Sequence, residues 1–123
     1  MYMPYRIIVV NIRFDNKAIY IGRPSALCNP YGIPGKTSKY DLIPTQSLDE
    51  ACDRFKDYLD AAVANNDRVI IDELCRIHNV GKKYGSVKLG CFCKPAFRCH
   101  GDEIKAFMES NYDLLEELSN TGM

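Results

Sequence analysis

The 123-residue chain carries no net charge: sixteen Lys and Arg balance sixteen Asp and Glu. A neutral chain is a poor general polyanion binder, and with 46% hydrophobic residues it is not a disordered one. No apolar run is long enough to cross a bilayer. The opening "MYMPYRIIVVNIRFDNK" has a short apolar part, interrupted by Asn11 and Arg13, with no small-residue cleavage site behind it; it does not read as a signal peptide. There is no internal repeat and no low-complexity segment. These absences leave an expectation of one domain over 1–123 with a frayed tail at about 117–123. The location they suggest is cytoplasmic, where the six cysteines stay reduced and form no disulfide framework.

What is present reads as alternating strands and helices. "YRIIVVNIR" (5–13) is rich in β-branched residues and predicts a buried strand. After the turn "DNK", "AIYIG" (18–22) predicts a second, forming a hairpin with the first or lying beside it. Residues 23–45 hold four prolines and two glycines and predict a long ordered surface loop, a feature commonly functional. Ser47 and Glu50 have capping-box spacing. Leu48, Ala51, Cys52, Phe55, Leu59 and Ala62 then form one helical stripe, in which Cys52 is a core residue. A second helix is expected over 68–80, with Gly81 at its C-cap. On it, Cys75 and His78 share a face, as a half-buried Cys and a surface His, or as two metal ligands. "SVKLGCFC" (86–93) alternates as a strand, and 101–119 predicts a last helix. The order β-β-loop-α-α-β-α predicts a small α/β domain, Rossmann-like in part. It would have a mixed sheet of about three to five strands with helices packed on it.

Charge is unevenly placed. Residues 81–101 carry Lys82, Lys83, Lys88, Lys94 and Arg98 and no acid. Residues 102–123 carry six acids against Lys105. Their junction either focuses an anion or is a solvated surface with compensating charges.

Two stretches carry candidate chemistry. In "YIGRPSALCNPYGIPGK", Gly22 permits a sharp exit from the strand or close approach of a ligand. Arg23 can fork onto phosphate or carboxylate. Ser25, Asn29 and Lys36 add polar contacts, and Pro30 stiffens the loop. A strand leading into such a loop is where open α/β sheets bind ligands, although neither a P-loop nor a G-x-G-x-x-G spacing is present. In "GCFCKPAFRCHGDE", Cys91, Cys93, Cys99 and His100 are good donors for zinc or iron, but C-x-C-x5-C-H is no standard finger spacing. The alternative is a helix-entrance site. There Cys99 is a thiol of lowered pKa, His100 is a general acid/base, and Asp102 orients it, acts itself or simply caps the helix.

The paired signatures "YIGRPS-x-L-x-NPYGIPGK" and "C-x-C-K-P…C-H-G-D" resemble a small domain-of-unknown-function family of bacteriophages and bacteria, over about Ile8 to Ile104. The resemblance implies a compact α/β domain without a settled activity. The matching positions are Gly22, Arg23, Ser25, Leu27, Asn29, Pro30, Cys91, Cys93, Pro95, Cys99, His100, Gly101 and Asp102. Two departures stand out: Cys28 where members usually have glycine, and one extra residue between the second and third cysteines. In a phage-encoded protein the location would be the host cytoplasm. Three functions follow as expectations. One is binding or acting on a nucleotide or nucleic-acid component, with glycosidic-bond or transferase chemistry. The second is a metal-stapled module. The third is a non-catalytic module that binds a host protein.

Overall fold

The computed structural model describes residues 3–23, 25–32, 42–92 and 98–121. Five strands and four helices alternate in it. They are β1 (Arg6–Asn11), β2 (Ile19–Tyr20), β3 (Tyr31–Gly32), β4 (Ile43–Pro44), α1 (Leu48–Ala64), α2 (Arg68–Tyr84), β5 (Ser86–Cys91), α3 (His100–Ser110) and α4 (Tyr112–Thr121). The α/β class expected from the sequence holds. The strands divide into a three-stranded sheet of order β1-β5-β2 and a two-stranded sheet β3-β4. Every pair is parallel. The first two strands therefore form no hairpin and are not neighbours, because β5 inserts between them. The β-branched run of β1 finds its partner in Ser86–Cys91, eighty residues away in register.

Residues expected to form an irregular loop contain β3 and β4, paired Tyr31 to Ile43 and Gly32 to Pro44. Leu27 from this segment is part of the core. The segment is fastened to α1, where the Asn29 side-chain amide donates to the Ala51 carbonyl at 3.3 Å.

The helices begin where their caps stand. Ser47 Oγ accepts the Glu50 N–H at 3.0 Å. The Glu50 carboxylate reaches one residue further back than a capping box requires, to the Gln46 N–H at 2.7 Å. Ala51, Cys52, Phe55, Leu59 and Ala62 are buried along one stripe of α1, as their spacing predicts. The second helix runs past Gly81 to Tyr84, and the C-cap is Gly85, in the left-handed region with φ 80°. Gly81 serves packing instead: a Cβ there would lie 2.4 Å from Cδ1 of Tyr5. The expected last helix is two helices, broken at Asn111, the second running from Tyr112 to Thr121.

In the three-stranded sheet, side chains alternate in register. Ile7, Val87, Leu89 and Cys91 are buried and join Phe55, Leu74, Ile77, Ile104, Met108 and Leu115 from the helices in one core. Arg6 and Lys88 project from the opposite face and are exposed. No helix among the described residues is long and apolar enough to cross a membrane.

The carboxyl ends of the central strands as a candidate functional site

Because β2 and β5 are parallel neighbours, the loops that leave them emerge at the same end of the sheet. This places the Arg23 segment and the entrance of α3 side by side, and a hydrogen bond joins them. His100, the first residue of α3, binds the Ile21 carbonyl through Nε2 at 2.8 Å. A carbonyl only accepts, so Nε2 carries the proton and Nδ1 is the ring's acceptor. Nδ1 lies 3.7 Å from the Cys99 sulfur. The ring also stands edge-on to Phe55, centroids 5.0 Å apart. With 9% of its surface exposed, His100 is held below the ordinary imidazole value. Burial is the main cause, and the Arg23 charge adds to it. The Ile21 hydrogen bond, Cys91 and Asp102 act in the opposite direction. His100 is therefore neutral at pH 7.

The helix entrance is closed upon itself. Cys99 is the N-cap, and its sulfur accepts the Gly101 N–H at 3.3 Å. The Asp102 carboxylate accepts the Cys99 N–H at 3.0 Å, and the Asp102 N–H binds the Cys99 carbonyl at 2.9 Å. Of the roles open to Asp102, the geometry displays capping. A Cβ at Gly101 would lie 2.8 Å from Ile21 and 2.9 Å from Val9, so only glycine lets the first turn sit this close to the sheet. Arg98, just before the cap, binds Asp49 and Asp53 of α1 and Glu103 of α3. Those bonds, Asp53 first, raise its pKa. Lys82 pairs with Glu116 and Lys88 with Asp15. Three of the five cations of the basic stretch are thus engaged, which favours compensated charge over a focused field at the junction.

On the Arg23 side, one guanidinium nitrogen donates to the Asn29 carbonyl at 2.8 Å and to the Tyr31 carbonyl at 3.4 Å. Arg23 Nε and Ser25 Oγ are buried and make no hydrogen bond to any described residue. Asn29 turns its side chain to the backbone, accepting the Tyr31 N–H at 2.9 Å. Pro30 lends its carbonyl to the Ile43 N–H at 2.9 Å. The space over Gly22 belongs to Tyr20, whose hydroxyl would lie 2.4 Å from a Cβ there. Lys36 and Cys93 fall outside the described residues.

Cys91 and Cys99 are buried near His100, yet no group of three or more His, Cys, Asp or Glu among the described residues is arranged to hold a metal. His100 Nε2 is committed to a carbonyl, and Nδ1 faces a sulfur.

The second histidine departs from expectation. His78 is not at the surface but 0% exposed. The Tyr5 hydroxyl lies 2.6 Å from its Nδ1, and Glu116 Oε1 lies 2.8 Å from its Nε2. The carboxylate needs a donor, which places a proton on Nε2; in the neutral ring Nδ1 accepts from the Tyr5 hydroxyl. Neither partner was readable from spacing, since Tyr5 and Glu116 stand 73 and 38 residues away.

Residues 10–110 match the family model described as a domain of unknown function, DUF4326, and the chain belongs to that family. No curated protein and no solved structure matches it.

Proposed function

We propose that this member of the DUF4326 family binds a nucleotide or nucleic-acid component by its phosphate at the carboxyl ends of β2 and β5. The observation that carries the reading is the pair of buried polar atoms, Arg23 Nε and Ser25 Oγ, that find no hydrogen-bond partner among the described residues. Burying such groups without a partner costs about 1–3 kcal/mol each, and an anion that accepts from both relieves that cost. Their position supports it, because the carboxyl ends of parallel strands are where open α/β sheets take ligands. The α3 entrance contributes less, since its Gly101 and Asp102 N–H groups are already bonded. Cys99 and His100 supply the reactive pair: a thiol capping a helix, with a neutral imidazole acceptor beside it. Asp102 acts through Cys99, by holding the cap.

Thermal unfolding in the presence of nucleoside mono-, di- and triphosphates, nucleosides and sugar phosphates tests this. A phosphorylated ligand at a hundredfold excess over its Kd adds about 2.7 kcal/mol and raises Tm by several degrees. Arg23→Lys keeps the charge but loses the fork and Nε, and abolishes most of that shift. A folded protein whose Tm none of these compounds moves refutes the reading.

A further inference from the structure

The face of the three-stranded sheet opposite the core is the most unusual surface of the molecule. Parallel sheets are almost always covered on both faces. Here the core occupies one face, and among the described residues none on the other belongs to it; that face is partly covered, since Gly90 is buried with Ile12 and Ala18 against it. That second face carries Arg6, Ile8 and Val10 from β1 and Ser86, Lys88 and Gly90 from β5, with Tyr20 in register beside Gly90. Phe92 continues the alternation of β5 and meets Tyr20 edge-on at 5.9 Å. Arg13 lies over the Phe92 ring at 5.4 Å. Phe14, beside it, lines a cleft of about 830 Å³ with Arg6, Ile8 and Val10 along the free edge of β1.

Two large aromatic rings are thus held in water: Phe14 is 84% exposed and Phe92 is 55% exposed. They are held firmly. Asn11 binds the Phe92 carbonyl through its amide and the Arg13 N–H through its oxygen, while its own carbonyl accepts the Phe14 N–H. The local charge of the strands and their turn is mainly positive. Over residues 3–20 and 86–92 the cations are Arg6, Arg13, Lys17 and Lys88, and the only acid is Asp15, which Lys88 engages. The neutrality of the chain arises because its acids gather elsewhere, mainly on the helices.

From this we infer that the exposed rings of Phe14 and Phe92, with the cations beside them on this side of the sheet, form a platform for single-stranded nucleic acid. Exposed aromatic rings stack with bases whatever their identity, and guanidinium groups add stacking and phosphate contacts. A sheet face bearing aromatics among cations is a recurring way to hold splayed bases. A purely apolar protein partner would have no use for Arg13 over one ring and Arg6 in the cleft beside the other. Asp102, Lys105 and Glu109 of α3 line the same cleft, so the strand is expected to run on the side of Phe92 and Arg13 and not across α3. The platform does not rest on the Arg23 site, and its test leaves Arg23 untouched.

Fluorescence anisotropy with labelled oligothymidylate and oligouridylate of about twelve nucleotides decides the matter. Binding is expected in low salt and weakens as salt rises from about 50 to about 200 mM. Phe14→Ala and Phe92→Ala each lose about tenfold in affinity, and Arg13→Ala loses affinity and flattens the salt dependence. Both rings are exposed, so circular dichroism of these variants matches the parent. No anisotropy change up to about 100 μM protein, where even non-specific binding registers, overturns the inference. So does binding indifferent to both aromatic substitutions. A concentration-dependent dimer in sedimentation that Phe14→Ala abolishes also overturns it, by assigning the face to a second copy of the chain.

Discussion

The two histidines of this chain are both buried, one in a clamp and the other in the candidate site. His78 sits in the middle of α2 with a polar side chain on each ring nitrogen, from the residue before β1 and from α4. Three distant segments meet on one imidazole, and Lys82 closes the array on Glu116. His100 opens α3 with a backbone carbonyl on one nitrogen and a thiol on the other. The first is a fully satisfied network, which fixes how elements dock. The second is one edge of a polar cluster whose neighbours, Arg23 and Ser25, retain unused capacity. Full satisfaction marks structure, and the unmet polar capacity of the loop is what supports the ligand reading proposed for it.

The contrast is easiest to break at His78. His78→Ala opens a cavity and leaves the Tyr5 hydroxyl without its partner, so urea unfolding should show a loss of about 3 kcal/mol. Tyr5→Phe removes only the hydroxyl and should cost about 1.5 kcal/mol in the same measurement. In that variant Glu116 still accepts from His78. Neither substitution should change the Tm shift produced by a phosphorylated ligand, because the clamp lies outside the site.

His100 yields the smallest effect and a different signature. Its folded pKa lies below the ordinary 6.5, so the unfolded chain takes up a proton that the folded chain refuses. Its contribution is complete above 6.5 and is lost as pH falls from there toward the lowered folded value. Glu116, Asp15 and Glu50 are also depressed, but from ordinary carboxylate values, so their losses come below about pH 4.5. Chemical unfolding at pH 7 and pH 5.5 should show stability falling for the parent and falling less for His100→Gln. Equal slopes would mean that the imidazole is not the group refusing the proton.

Much of this was legible in the chain. The stripe from Ala51 to Ala62, the Ser47 cap, the alternation of 86–91 and the α/β class all follow from local periodicity, where each residue's environment depends on its neighbours in sequence. The two motif stretches were legible as places, and the structure brings them to one end of the sheet. The partners were not. A strand of β-branched residues looks the same whether its neighbour is twenty or eighty residues away, which is why a hairpin was the natural expectation for β1. Gly81 has the appearance of a helix stop, and only the Tyr5 ring lying against it shows that it is a contact.

The sequence by itself determined which segments are helix or strand, which faces are apolar, and where thiols, imidazoles and the Arg23 guanidinium enter the chain. Tertiary structure decided that β5 separates β1 from β2, that His78 is a clamp, that Asp102 caps, and that Phe14 and Phe92 stay exposed. The reason is range. Periodicity and capping are settled within a few residues, whereas strand order, burial of a polar group and the meeting of two loops depend on contacts between residues far apart in the chain.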